Sequence, residues 1–197
     1  MAAVVDARYC AAADQATAFA VARVMGATDR DFAVTDAGGE TVMRVEGAVF
    51  SLRRRTLLLD ARAASRVVVT MLDTSGGVGV VAPTWDVFRG ESSSRRDLLF
   101  SVVKESVVQV RTRVFVYLSG YRSVEQQPDF VIRGSYYDGD CSVFAANSDQ
   151  PIAKITENLA GTVRGFTRHV YTTRINPGID QAFIISLAVI LHGMHHR

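Results

Sequence analysis

The chain has 197 residues, 48% of them hydrophobic, which is enough for one domain with a sizeable core. Its formal net charge is only +2, with 22 Lys and Arg against 20 Asp and Glu, so bulk electrostatics do not point to nucleic acid. Cys10 and Cys141 have no metal-ligand spacing, and no stretch reaches the roughly 20 apolar residues of a membrane-spanning helix.

In chain order, residues 1–31 read as a lead-in. An extended V-V-D-A-R-Y-C is followed by an alanine-rich stretch that suits either a short helix or a strand. The segment lacks a basic n-region and carries Asp6 and Asp14, so it does not read as a secretory signal. Ala2 stands where myristoylation requires glycine, so that anchor is not expected, and Cys10 is a candidate for acylation. With no N-x-[ST] acceptor, a reducing cytoplasmic setting with free thiols is expected.

From residue 32 the hydrophobic period becomes two. Phe32-Ala33-Val34-Thr35 and Val42-Met43-Arg44-Val45 flank D-A-G-G-E, a hairpin turn with glycines where positive φ is needed. Residues 49–52 and 56–60 flank Arg53-Arg54-Arg55, which puts the triplet on or beside a turn. Residues 66–72 form a β-branched run, and 73–83 a polar, glycine-rich loop. Strands continue over 85–89, 98–103 and 106–118. In the last of these, Val108, Val110, Thr112, Val114 and Val116 share one face, and Gln109, Arg111 and Arg113 the other. Residues 130–133, 141–145, 152–155 and 169–175 complete roughly ten to twelve strands, the pattern of a sandwich or a barrel. The hairpin at 32–45 is echoed at 141–155: strand, polar turn, then a strand ending in a basic and an aliphatic residue.

The C-terminal segment decides between sandwich and barrel. Residues 179–191, I-D-Q-A-F-I-I-S-L-A-V-I-L, are apolar on every side, and a helix of that kind must be buried on every side. Strands can enclose a lone helix only by closing around it. The expected fold is therefore a single mainly-β domain over 1–197, a closed barrel of about twelve strands around a buried C-terminal helix at 179–192. Phe183, Ile184, Leu187 and Ile190 are its packing residues. Asn176 is the expected cap and Pro177 the first helical residue, with Asp180 in the first turn. Gly193 is the expected stop, followed by a frayed end carrying His195 and His196.

Several segments then resemble a known family. They are Val4-Val5-Asp6 with Tyr9-Cys10-Ala11, Phe32 to Asp36, Leu58-Leu59-Asp60-Ala61 and Trp85-Asp86-Val87-Phe88-Arg89-Gly90. Asp97-Leu98-Leu99-Phe100-Ser101-Val102, Arg133-Gly134-Ser135, Cys141 and Asp180-Gln181-Ala182-Phe183-Ile184 follow. In that order and spacing, the chain resembles the plant LURP-one-related family, which has the fold of the tubby C-terminal domain and the phospholipid scramblases. The resemblance implies a twelve-stranded barrel around a central helix, a link to plant basal defence and no assigned catalysis. Tubby-like relatives bind phosphoinositides through basic side chains on the barrel surface. The chain departs from the family at Ala12 and Ala13, where prolines are usual, at Arg54, where an acidic residue is common nearby, and at Ser75 to Gly79, where a basic segment is usual.

Arg53, Arg54 and Arg55 form the densest charge cluster, and Arg95 and Arg96 sit on another turn. Guanidinium forks suit phosphate, so anionic lipid headgroups fit this cluster as well as a merely solvated turn does. His192, His195 and His196 have helical spacing for a metal, but a frayed terminus accounts for them without one. Gly76-Gly77-Val78-Gly79 lacks the Lys-[ST] of a phosphate loop, and Cys141 with His169 reads as a buried thiol and a strand histidine. No hydrolase, metalloprotease or paired Cys-x-x-Cys motif occurs, so no enzyme, cofactor or metal is expected. Two readings stand side by side. One is a cytoplasmic, peripheral membrane module that binds phosphoinositides. The other is a protein–protein adaptor in defence or signalling, using loops 73–83 or 120–129. Neither involves nucleic acid or a transmembrane segment.

Overall fold

The computed structural model describes residues 3–24, 28, 30–48, 54–75, 84–105, 112–121, 123, 125–135, 139–163 and 166–195; at 112 and 159–169 only the backbone is described. Twelve strands form one closed antiparallel barrel: β1 (Thr17–Arg23), β2 (Phe32–Thr35), β3 (Thr41–Gly47), β4 (Arg55–Asp60), β5 (Arg66–Asp73), β6 (Thr84–Arg89), β7 (Leu98–Lys104), β8 (Thr112–Leu118), β9 (Phe130–Ser135), β10 (Asp140–Ala145), β11 (Pro151–Val163) and β12 (Phe166–Ile175). Each strand pairs with its chain neighbours, and β1 closes the ring on β12, with Thr17 opposite Ile175 and Val21 opposite Tyr171. The lead-in expected over 1–31 therefore contains β1. Its alanines, Ala18, Ala20 and Ala22, alternate with Phe19 and Val21, which are buried. Period two, not alanine's helix propensity, decides the conformation there.

Inside the ring lies one helix, α1 (Gln181–His195), about 22 Å long at 1.5 Å per residue. All its residues from Ala182 to Leu191 are buried. Phe183 meets Phe100 of β7 and Phe130 of β9 edge-on or tilted, with ring centroids 5.1 and 4.9 Å away. Ile184, Leu187 and Ile190 are each fully enclosed by inward side chains such as Val21, Val34, Leu58, Met71, Val87, Val116 and Ile132. The core is thus a cylinder of strand residues around a cylinder of helix residues.

Both helix ends differ from expectation. The helix starts at Gln181, four residues after Pro177, and Asp180 is its cap, with Oδ1 accepting the Phe183 N–H at 3.2 Å. Asn176 instead closes a turn: its carbonyl accepts the Ile179 N–H, and its amide donates to the Pro151 carbonyl. At the far end the helix runs through Gly193 to His195. Gly193 faces the buried ring of Trp85, where a Cβ would stand 2.7 Å from Cζ2. The glycine gives the indole room and does not end the helix. His192 is likewise no frayed residue, since it is buried and its Nδ1 lies 2.8 Å from the Tyr171 hydroxyl.

The N-terminal segment covers the mouth at the helix start. Asp180 Oδ2 accepts the N–H groups of Val5 and Asp6 at 2.7 and 3.1 Å, and Ala11 N–H donates to the Ile179 carbonyl. Arg89 donates to the Val5 carbonyl, and the Tyr9 hydroxyl donates to Asp60 while accepting from Arg66. The two echoed hairpins share a geometric detail. In β2–β3 the register slips between Val34 and Thr35, and in β10–β11 between Val143 and Phe144. The residue skipped is Val42 in one and Ile152 in the other, at matching places beside the turn.

Candidate functional site

The site begins with β4. Its first residue, Arg55, pairs with Leu72 of β5, and Arg54 prolongs that ladder by accepting the Asp73 N–H on its carbonyl. Arg55 is half-buried, and its Nη2 donates to the Glu91 carbonyl at 2.9 Å, across the wall of β5. Glu91 belongs to the β6–β7 connection, which turns sharply at Gly90. There φ is +59°, a left-handed conformation for which glycine is the favoured residue. The Gly90 N–H donates to the Val68 carbonyl, and the Gly90 carbonyl accepts the Thr70 hydroxyl, so the connection lies down on β5.

Further along the same connection, Ser94 caps a single 3-10 turn, Arg95–Asp97, by accepting the Arg96 N–H. The Ser92 hydroxyl donates to Asp97 at 2.6 Å and holds the far side of the turn. Arg95 and Arg96 project from it, exposed. The Arg55–Glu91 bond thus ties the start of β4 to the connection that carries Arg95 and Arg96, some forty residues on in sequence. Arg53 lies outside the described residues.

Five other cations of the described surface have carboxylates close by. Arg8 bonds Asp6, Arg62 bridges Asp36 and Glu40 at 2.9 and 2.6 Å, and Lys154 meets Asp140 at 2.9 Å. Arg113 and Arg133 have carboxylates at 3.6 and 4.0 Å. Among the described residues, no carboxylate or other hydrogen-bond partner engages the Arg54, Arg95 or Arg96 side chains. Exposed Arg44 and Arg174 are also without a carboxylate, and exposed Arg66 and Arg89 donate to the Tyr9 hydroxyl and the Val5 carbonyl instead. Arg30, in the segment read as lead-in, reaches the same hairpin: its guanidinium points at the carbonyls of Arg55 and Ala48, each 3.5 Å away. Nothing in its local sequence signals that role.

Among the described residues, the other candidate groups are not brought together in one site. Cys141 is buried inside the barrel, and burial pushes its thiol up to about 11, far from a nucleophile's range. The side chain of His169 lies outside the described residues, as do residues 76–83 of the glycine-rich loop and His196. No group of His, Cys, Asp and Glu suited to a metal occurs among the described residues. At the helix C-terminal end, the Tyr171 hydroxyl lies 2.9 Å from Glu157 and 2.8 Å from His192, beside a cavity of ≈ 10 Å³ lined by Gly139, Cys141, Ile155 and Leu191. That space suits about one water molecule, not a substrate. No helix among the described residues is long and apolar enough to cross a membrane.

A closed antiparallel barrel filled by its own C-terminal helix is the class these features define. The sequence pattern of the LURP-one-related family matches residues 17–192, and the chain belongs to that family. Among proteins of Arabidopsis thaliana it is 34% identical to LURP-one-related 15, over 98% of this chain and 86% of that one. It is 32% identical to LURP1, over 95% and 87%. A crystal structure of an Arabidopsis thaliana protein superposes with a TM-score of 0.71 at 29% identity, covering 96% of each chain.

Proposed function

We propose that the protein is a non-catalytic module that docks on anionic membrane surfaces through Arg54, Arg55, Arg95 and Arg96, with Arg53 their neighbour in sequence. The observation that carries this reading is that the exposed guanidiniums of Arg54, Arg95 and Arg96 meet no carboxylate among the described residues, with half-buried Arg55 tying the β6–β7 connection to β4. Unpaired guanidiniums give up little on meeting phosphate, and each basic residue near an anionic bilayer contributes about 1 kcal/mol. The filled interior supports a surface role, because the helix occupies the volume a ligand would need.

Co-sedimentation with neutral and anionic vesicles tests this. The native chain is expected to bind only anionic vesicles, and a variant with Arg53, Arg54 and Arg55 all changed to Ala to bind at least about tenfold more weakly. Indifference to lipid charge removes the reading. The protein–protein adaptor then takes its place, with the 120–129 loop as its first candidate contact. That loop is braced by Tyr121 against Tyr117, at a centroid distance of 4.9 Å, and by Gln126 donating to the Gly120 carbonyl.

A further inference from the structure

Resting on that reading, we infer that the Ser93 hydroxyl is a phosphorylation site and that its phosphate releases the protein from the membrane. The β6–β7 connection carries three serines in a row, Ser92 to Ser94, and the structure sets the middle one apart. Ser92 donates its hydroxyl to Asp97 and accepts the Ser94 N–H on it, and the Ser94 hydroxyl accepts the Arg96 N–H. Ser93 is exposed, lies outside any helix or strand, and its hydroxyl has no partner among the described residues. A phosphate on Ser92 or Ser94 takes a hydroxyl away from the turn that it holds. On Ser93 it displaces nothing.

The neighbours suit a phosphate. Arg95 and Arg96 stand two and three residues on, exposed and met by no carboxylate among the described residues. Phosphoserine brings a charge of about −2 and three acceptor oxygens, which guanidinium forks engage. Glu91 and Asp97 already match the two arginines in number, so one phosphate turns residues 90–97 from neutral to anionic. An anionic connection is repelled by an anionic bilayer, and its arginines are then taken up by the phosphate. The transfer needs ATP and a serine kinase that reads basic residues beside the acceptor. Ser93 Oγ bonds to the γ-phosphorus as the bond from that phosphorus to the leaving ADP oxygen breaks, and the hydroxyl proton passes to a base of the kinase.

The experiment compares the unmodified full chain with one carrying phosphoserine at position 93, introduced during translation. On phosphatidylcholine vesicles doped with phosphatidylserine, the modified chain is expected to bind about tenfold or more weakly, with its melting temperature unchanged. Its phosphate, followed by phosphorus NMR, is expected to titrate below the usual value of about 6 and to return to that value in R95A/R96A. The unmodified chain, incubated with ATP and plant leaf extract, is expected to take up phosphate at Ser93, and S93A to take up none there. Equal vesicle binding with and without the phosphate, an ordinary phosphate titration, or no phosphate at Ser93 overturns this inference, and binding by the unmodified chain then leaves the membrane reading intact. Failure of the unmodified chain to bind removes both.

Discussion

Three residues carry distinct tests at the atomic scale. Gly193 has room for no Cβ, because Trp85 is 1% exposed and cannot swing away. Gly193→Ala is therefore expected to cost about 1–3 kcal/mol by overpacking, despite alanine's better helix propensity, and chemical denaturation measures it. A gain in stability would mean that the indole has slack. Cys141 offers a pH test. Its folded pKa of about 11 lies above that of an exposed thiol, so its contribution is complete below about pH 8.5 and is lost as pH rises towards 11. Stability is expected to fall by about 3 kcal/mol across that window, and the slope to flatten in Cys141→Ala. In the native chain at pH 8, iodoacetamide is expected to label half-buried Cys10 and to spare Cys141 until unfolding.

At the scale of elements, the helix and the N-terminal segment depend on one carboxylate. Asp180 accepts from Val5, Asp6 and Phe183, linking the strap to the helix cap, while its burial raises the carboxyl's pKa against the pull of those bonds. Asp180→Ala leaves buried donors unmatched, and about 3–5 kcal/mol of destabilisation is expected in thermal or urea melts. Removal of residues 179–197 takes the whole inner cylinder away and is expected to abolish folding. A cooperatively melting, soluble truncation would show that the barrel stands without its plug.

These same elements show how far a sequence reads. The helix was legible because a segment apolar all round has only one soluble solution, enclosure, and the strands because inward and outward positions alternate. The ends of the helix were not. The cap at Asp180 is chosen by partners about 175 positions away, and the extension past Gly193 by a tryptophan on another strand. Asn176 and Gly193 carry the right local chemistry for a cap and a stop, but long-range packing overrides them. The arginines were visible as two separate clusters. The Arg55–Glu91 tie between their elements was not, because it depends on the β6–β7 connection folding back over β5, as the bracing of the hairpin depends on Arg30 from a segment with no distinguishing pattern.

At the scale of the whole molecule, a barrel filled by its own helix leaves its outer surface and its loops to meet other molecules. On that surface Arg54, Arg95 and Arg96 meet no carboxylate among the described residues, and the proposed membrane role rests on them. The most direct test is the salt dependence of binding to phosphatidylserine vesicles, native chain against R54A/R95A/R96A, with melting temperatures recorded for both. The account predicts steep weakening with salt for the native chain. It predicts weak, nearly salt-independent binding for the variant, whose melting temperature should be unchanged because the three side chains are exposed and have no hydrogen-bond or ion-pair partner among the described residues. Equal binding by both proteins at every salt concentration would contradict it.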